Sequence, residues 1–197
     1  MSQVVETMSD ADLLGVLVGQ EAATHLMQGA SGSLYTLLND PTPVVDVELR
    51  VRVRLKVAKE LVRRSLVEAM RQRDVLSSPA CVRDFLRMTL AGRDYEVFMV
   101  LFLDAQNRVI APEEMFRGSL TQTSVYPREV VKRSLVNNAA AVIFAHNHPS
   151  GVAEPSHADE LLTRSLKEAL ALVEVRVLDH FVVAGNGVMS FAERGLL

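Results

Sequence analysis

The sequence predicts an α/β protein: a mixed β-sheet flanked by helices, with a small helical region in front of it. Three observations carry this. Two nearly unbroken apolar runs, "EVFMVLFL" (96–103) and "AAAVIFAHN" (139–147), have the length and continuity of strands buried on both faces. Stretches with helical spacing and capping signals lie between and after such runs. The text also changes character at "VLSSPA" (75–80): before it reads helical, after it strands and helices mix. We therefore divide the chain into a helical region, 1–75, and an α/β domain, 76–197.

In the first region "SDADLLGVLVG" (9–19) reads as a capped helix. Ser9 is the N-cap, Asp12 takes the reciprocal acidic position, and Gly19 is the stop. "EAATHLMQG" (21–29) and "SLYTLLND" (33–40) read as two short helices. The next segment is ambiguous. From Val47 to Val57 apolar residues alternate strictly, as in a strand, whereas Leu55, Ala58, Leu61, Val62, Leu66 and Met70 keep helical spacing. We read one long helix, with a strand as the alternative for its first ten residues.

In the second region Ser78-Pro79 sets an N-cap before a proline at the first helical position, so "PACVRDFLRMTL" (79–90) should be a helix. "YEVFMVLFLD" is a buried strand, and "AQN" turns it into a hairpin partner, "RVIAPEEMF" (108–116). "YPREVVKRSLVNN" (126–138) starts a helix at its proline. "AAAVIFAHN" is another strand, and "PSHADELLTRSLKEALALV" (155–173) a helix capped by Ser156. "EVRVLDHFVVAG" (174–185) is a strand joined through "GNG" to "VMSFA" (188–192). Alternating strands and helices of this kind make a layered sheet-and-helix domain.

Composition narrows the function classes. The hydrophobic fraction is 49% and the charged fraction 23%, as in a globular protein. We expect no membrane span and no signal peptide, since no apolar window is long enough and the start lacks a basic, then apolar, pattern. A single cysteine, Cys81, rules out an internal disulfide and a cysteine-rich zinc site, and fits a reducing cytoplasm. Net charge is −3. The run Arg50, Arg52, Arg54, Lys56, Lys59, Arg63 and Arg64 could face DNA. Yet residues 1–75 hold 9 basic and 10 acidic residues, so a solvated helix face is the reading we favour.

The chemistry concentrates in "FAHNHPSGVAEPSHAD" (144–159). His146 and His148 are two apart at a strand end, so their side chains share one face. Asp159 follows eleven residues after His148, in the first turn of the next helix. Two nitrogens and one oxygen would hold a Zn2+ ion with a fourth position open for water, the pattern of a catalytic site. Such a site needs a base. Glu96 is our choice over Glu113, Glu114 and Glu129, because it begins a buried strand. Ser156 and Asp159 also fit a helix cap and its acidic partner. Ser156 could instead support an oxyanion. His25 and His157 have no evident partners. His180 reads as a packed structural residue, with support of the zinc site as the alternative. The letters "HNH" here are a tripeptide, not the dispersed nuclease motif of that name.

From about Val75 to Leu197 the chain resembles the RadC (UPF0758) family of the MPN/JAB superfamily, whose metal signature is called JAMM. The residues that carry the likeness are "EVFMVLFLDAQNRVI", "SVYPREVVKRSL", "AHNHPSG", "PSHAD" and "LDHFVVAGNGVMSFAERGLL". The resemblance implies a metalloprotease-like fold related to cytidine deaminases. It implies zinc held by His146, His148 and Asp159, Glu96 as general acid/base, and Ser156 as oxyanion support. Asn147 stands where the related eukaryotic isopeptidases usually carry Ser or Thr. Relatives also carry a helix-hairpin-helix with a Gly-x-Gly turn; the corresponding "PTPVVDVELRVRV" (41–53) has no glycine, so 1–75 is a degenerate version.

The expected function is a zinc-dependent metallohydrolase, a metallopeptidase or isopeptidase acting on a peptide or protein through zinc-activated water. The alternative is a DNA-associated accessory protein of repair, recombination or mobile elements. A non-catalytic scaffold is the third reading, and the complete ligand set argues against it.

Overall fold

A computed structural model of the chain describes residues 5–39, 47–118, 124–185 and 187–197. Contacts divide it into two compact units, Met1–Val62 and Arg63–Leu197. The family-like text from residue 76 lies wholly within the second unit.

The first unit is helical. α1 (Asp10–Val18) begins at Ser9, whose hydroxyl accepts the Asp12 amide, and ends at Gly19, whose φ of 96° suits a residue without a Cβ. α2 (Gln20–Gly29) and α3 (Leu34–Asn39) follow. α4 (Leu49–Gln72) is the long helix, and its first ten residues are helical rather than extended. The strict alternation from Val47 misleads because it contains two interleaved sets at i, i+4, and in a helix each set lines its own face. Val51 and Leu55 are buried with Leu14, Val18, Ala23, Leu26 and Leu37, and Val47 packs beside them. The other set, Leu49, Val53, Val57 and Leu61, is exposed. The basic residues sit among these stripes: Arg50 pairs with Glu48, Arg54 donates to the Leu17 carbonyl and Lys59 to that of Leu38. Residues 40–46, which include the first six of the glycine-free stretch, lie outside the described residues.

The second unit is the α/β domain. After a short 3-10 turn (Val75–Ser77), α5 (Pro79–Leu90) starts with its proline as expected. Ser78 stands at its N-cap but makes no side-chain cap bond; its carbonyl accepts the Cys81 amide instead. Then come β1 (Val97–Leu103), β2 (Val109–Arg117), α6 (Pro127–Val136), β3 (Ala141–Asn147), α7 (His157–Ala171), β4 (Arg176–Ala184) and β5 (Gly187–Ser190). The sheet order is β2-β1-β3-β4-β5. Neighbours are antiparallel except β3 and β4, whose parallel pairing needs the crossover that α7 supplies. Pro112 sits in β2, the edge strand, where a missing donor is tolerated. The hairpin turn between β1 and β2 is held by Asp104, whose carboxylate accepts the amides of Gln106 and Arg108, and Asn107 takes φ 56°. The turn between β4 and β5 includes Asn186, outside the described residues.

Both central strands, β1 and β3, are buried along their whole length. One face of the sheet packs Phe98, Val100, Phe102, Val142 and Phe144 against Val130 of α6 and Leu166 and Leu170 of α7. α5 buries Val82, Phe85, Leu86 and Leu90 and packs against β3 and β4. Alternation along β3 therefore sends His146 to the α7 side with Phe144, and Asn147 to the opposite side. No described helix is long and apolar enough to cross a membrane.

Candidate metal centre

β3 ends where α7 begins. The connecting loop turns back at Gly151, whose φ of 81° favours glycine. Its first half is tied down: the His148 amide donates to the Val183 carbonyl of β4 and the Gly151 amide to the His148 carbonyl. Ala153 packs onto Val182, Met189 and Phe191, and Glu154 is clasped by both guanidinium nitrogens of Arg194. The start of α7 is thereby brought over the end of β3.

His146, His148 and Asp159 converge there, with one ligand atom from each lying within 4.8 Å of the others. Among the described residues this is the one group of three or more His, Cys, Asp and Glu side chains that does so. The His146 Nε2 and His148 Nε2 atoms are 2.9 Å apart. Asp159 Oδ1 is 3.3 Å from His146 Nε2, and Oδ2 is 3.5 Å from His148 Nε2. His146 is 2% exposed, so this cluster is closed on one side and reached from the other.

The two oxygens of Asp159 differ in their contacts. Oδ2 accepts from the Ser156 amide and hydroxyl, each at 2.7 Å, while Ser156 Oγ accepts the Asp159 amide at 3.2 Å. This is a complete capping box for α7. Oδ1 is left facing His146. Burial alone would raise this carboxyl; hydrogen bonds and charge from His146 and His148, and the Ser156 hydroxyl, outweigh it and hold Asp159 well below the carboxylate range. His148 moves the other way. Its imidazole is pushed above the usual value by the hydrogen bond to Asp159, with the Val152 carbonyl and the charges of Asp159 and Glu96 adding and burial opposing.

Glu96 stands one residue before β1 rather than in it, half-buried, with its carbonyl accepting the Gly118 amide. It is outside the converging trio. Strand alternation puts residue 96 on the face of Phe98, whose cross-strand partner is His146. The competing glutamates are engaged elsewhere. Glu113 is held by two guanidinium nitrogens of Arg133 and by Asn137, Glu114 by Arg93, and Glu129 lies beside Arg128 and Lys132. His25 and His157 are exposed.

The structure adds partners to two residues: His180, which the sequence reads as packed with support of the site as the alternative, and Asn147, whose contacts the sequence does not give. His180 is fully buried and lies against the site: its Nε2 is 2.8 Å from His146 Nδ1, and its Nδ1 is 2.6 Å from Thr163 Oγ1. Burial, with His146 next to it, pushes its pKa well below the usual histidine value. The spacing of 34 residues between His146 and His180 gives no local signal; only the pairing of β3 with β4 joins them. The second residue is Asn147. Its Oδ1 accepts the Val97 amide at 2.8 Å and its Nδ2 donates to the Tyr95 carbonyl at 2.9 Å. One side chain thus grips the residues on either side of Glu96. Asn147→Ala should leave one buried and one part-buried backbone group unpaired and cost about 2–6 kcal/mol, at roughly 1–3 kcal/mol for each group. Urea unfolding of the metal-free protein measures this, and a loss under 0.5 kcal/mol, the usual limit for a neutral surface change, would remove the clamp.

A family model described as a RadC-like JAB domain matches residues 76–196. The chain is 55% identical over 203 residues to a UPF0758 protein of Dechloromonas aromatica, covering 96% of this chain and 90% of that one. It is 49% identical over 209 residues to a UPF0758 protein of Chromobacterium violaceum, covering 100% and 93%. Against a UPF0758 protein of Thiobacillus denitrificans it is 65% identical over 143 residues, 73% of this chain and 64% of that one. With the mixed five-stranded sheet and its flanking helices, these matches place the chain in the RadC (UPF0758) family, and its α/β unit is a RadC-like JAB domain.

Proposed function

We propose that this protein is a zinc-dependent metallohydrolase acting on peptide or isopeptide bonds. The observation that carries the proposal is the contact of His146, His148 and Asp159 at one point. A carbonyl only accepts, so the 2.9 Å contact from His148 Nδ1 to the Val152 carbonyl makes Nδ1 the protonated nitrogen. The Nε2 of neutral His148 is then an electron pair. It faces a second imidazole nitrogen at 2.9 Å and a carboxylate oxygen at 3.5 Å. Three electron-pair donors so close repel one another unless a cation stands among them.

The donor set fits zinc: two imidazoles and one carboxylate from the protein, with no thiolate. The Asp159 oxygen that the capping box leaves free and the two Nε2 atoms would hold the ion. A zinc ion so held supplies Lewis acidity and lowers the pKa of water to about 7.

The remaining roles belong to the protein's own groups. The Glu96 carboxylate takes the proton of the attacking water and returns it to the leaving nitrogen. Among the described residues Arg133 occupies Glu113 and Arg93 occupies Glu114, whereas no ion pair joins Glu96, and this supports the choice. The Ser156 hydroxyl, at the exposed mouth of α7, would donate to the developing oxyanion. In this geometry its proton goes to Asp159 Oδ2, so it must turn from that oxygen to serve the substrate.

Two outcomes test this reading. In the metal-free protein a proton competes for His148, whose pKa is raised, and metal needs the deprotonated ring. Zinc affinity should therefore climb as pH rises from 6 through 8, with about one proton released per zinc at the lower end. Calorimetry in buffers of different ionisation enthalpy measures it; affinity independent of pH would contradict the assignment. Glu96→Gln should keep zinc binding and lose hydrolysis by about 10²–10⁴-fold, the usual contribution of a general base. A variant that cleaves a peptide library as fast as the wild type removes Glu96 from the mechanism.

A further inference from the structure

We propose that Thr163 and His180 are positioning residues that fix the tautomer of His146, so that its Nε2 electron pair faces the metal position. The inference deepens the zinc reading and rests on it for its purpose, but its geometric content stands apart.

The direction of each proton follows from what each atom is able to do. Thr163 Oγ1 lies 2.6 Å from the backbone carbonyl of Asp159. A carbonyl cannot donate, so the single hydroxyl proton of Thr163 is spent there. The 2.6 Å contact between Thr163 Oγ1 and His180 Nδ1 must then run from the ring N–H to the hydroxyl oxygen. His180 has no exposed surface and stacks on Phe191 at 4.8 Å, with the rings of Phe98 and Phe144 edge-on at 5.6 and 5.7 Å. Full burial in that aromatic box disfavours the imidazolium, so the ring is neutral and its Nε2 is an acceptor. Among the described residues the one group that reaches this Nε2 is His146 Nδ1, at 2.8 Å. His146 therefore donates from Nδ1 and presents a bare Nε2 to His148 and Asp159.

The chain of bonds begins and ends beside the same residue. It starts at the backbone of Asp159, passes through Thr163 and His180 and ends at His146, whose Nε2 is left 3.3 Å from the Asp159 carboxylate with no proton between them, the gap a cation would fill. Thr163 is one turn beyond Asp159 on α7, so the helix that supplies the carboxylate also sets the protonation of its partner imidazole. His148 gets the same tautomer by a shorter route, from the Val152 carbonyl in its own loop. Each histidine of the pair has its own acceptor on Nδ1, and each is left with Nε2 for the ion. Metal-bound histidines are commonly oriented by such partners, whose loss weakens affinity by about 10–100-fold.

The test uses the full chain, with zinc affinity read by competition with a chromophoric chelator and the histidine nitrogens read by NMR on 15N-labelled, metal-free protein. Wild-type His146 should carry its proton on Nδ1, and the protein should bind one zinc. Thr163→Val keeps the shape and removes the hydroxyl; it should mix the His146 tautomers and weaken zinc by about 10–100-fold. Thr163→Ser should restore both. Melting of the metal-free variants shows that they are folded, and His180→Leu adds a second break in the chain. Folded Thr163→Val that binds zinc as tightly as the wild type, or wild-type His146 protonated on Nε2, overturns the proposal. Wild-type protein with the stated tautomer and no zinc binding overturns the metal reading while leaving the tautomer assignment standing.

Discussion

Three Lewis bases are pressed together where β3 ends and α7 begins, and much of the domain is arranged around holding them there. Left alone, two bare imidazole nitrogens and a carboxylate would be driven apart by their electron pairs. They stay because each is fastened from behind. His146 sits in the buried central strand with its Nδ1 tied to His180, His148 is tied to its own loop, and Asp159 is locked into the cap of α7. A cation or a proton must complete such a cluster, and the hydrogen bond to Asp159 pushes the His148 pKa up, in the proton's favour.

The fold makes that fastening possible. A parallel β3–β4 pair needs a helix between its strands, and that helix must start near the end of β3 and return along the sheet. Its first turn is therefore at the strand's carboxyl end, where α/β sheets often place their ligand sites. β1 pairs with β3 from the other side and brings Glu96 to the same end. Asn147, which points away from His148 and Asp159, grips the backbone on either side of Glu96. Neighbouring residues of one strand thus face opposite ways: His146 toward the His148–Asp159 cluster, Asn147 toward the backbone around Glu96.

Much of this was legible in the sequence because it is local. A spacing of two on a strand places both histidines on one face, and a spacing of three between Ser156 and Asp159 makes a capping box. Spacing left open whether Asp159 is cap or ligand; the structure gives the cap one oxygen and turns the other to His146. What spacing could not convey is what strand pairing decides. His180 and Thr163 reach His146 only through β4 and α7, and Asn147 reaches Tyr95 only through β1. The alternation at Val47–Val57 failed as a strand signal for a related reason. A period of two contains a period of four, and the core of the first unit takes one set, Val51 and Leu55, as a helix face.

The central claim is that the point of contact is a zinc site, and metal content tests it most directly. The full chain, purified without chelator at neutral pH, should contain one zinc per chain by elemental analysis. His148→Ala, which removes one donor and leaves the buried strand intact, should contain little or none. A well-folded wild-type protein that neither retains zinc nor takes it up on addition would contradict the account.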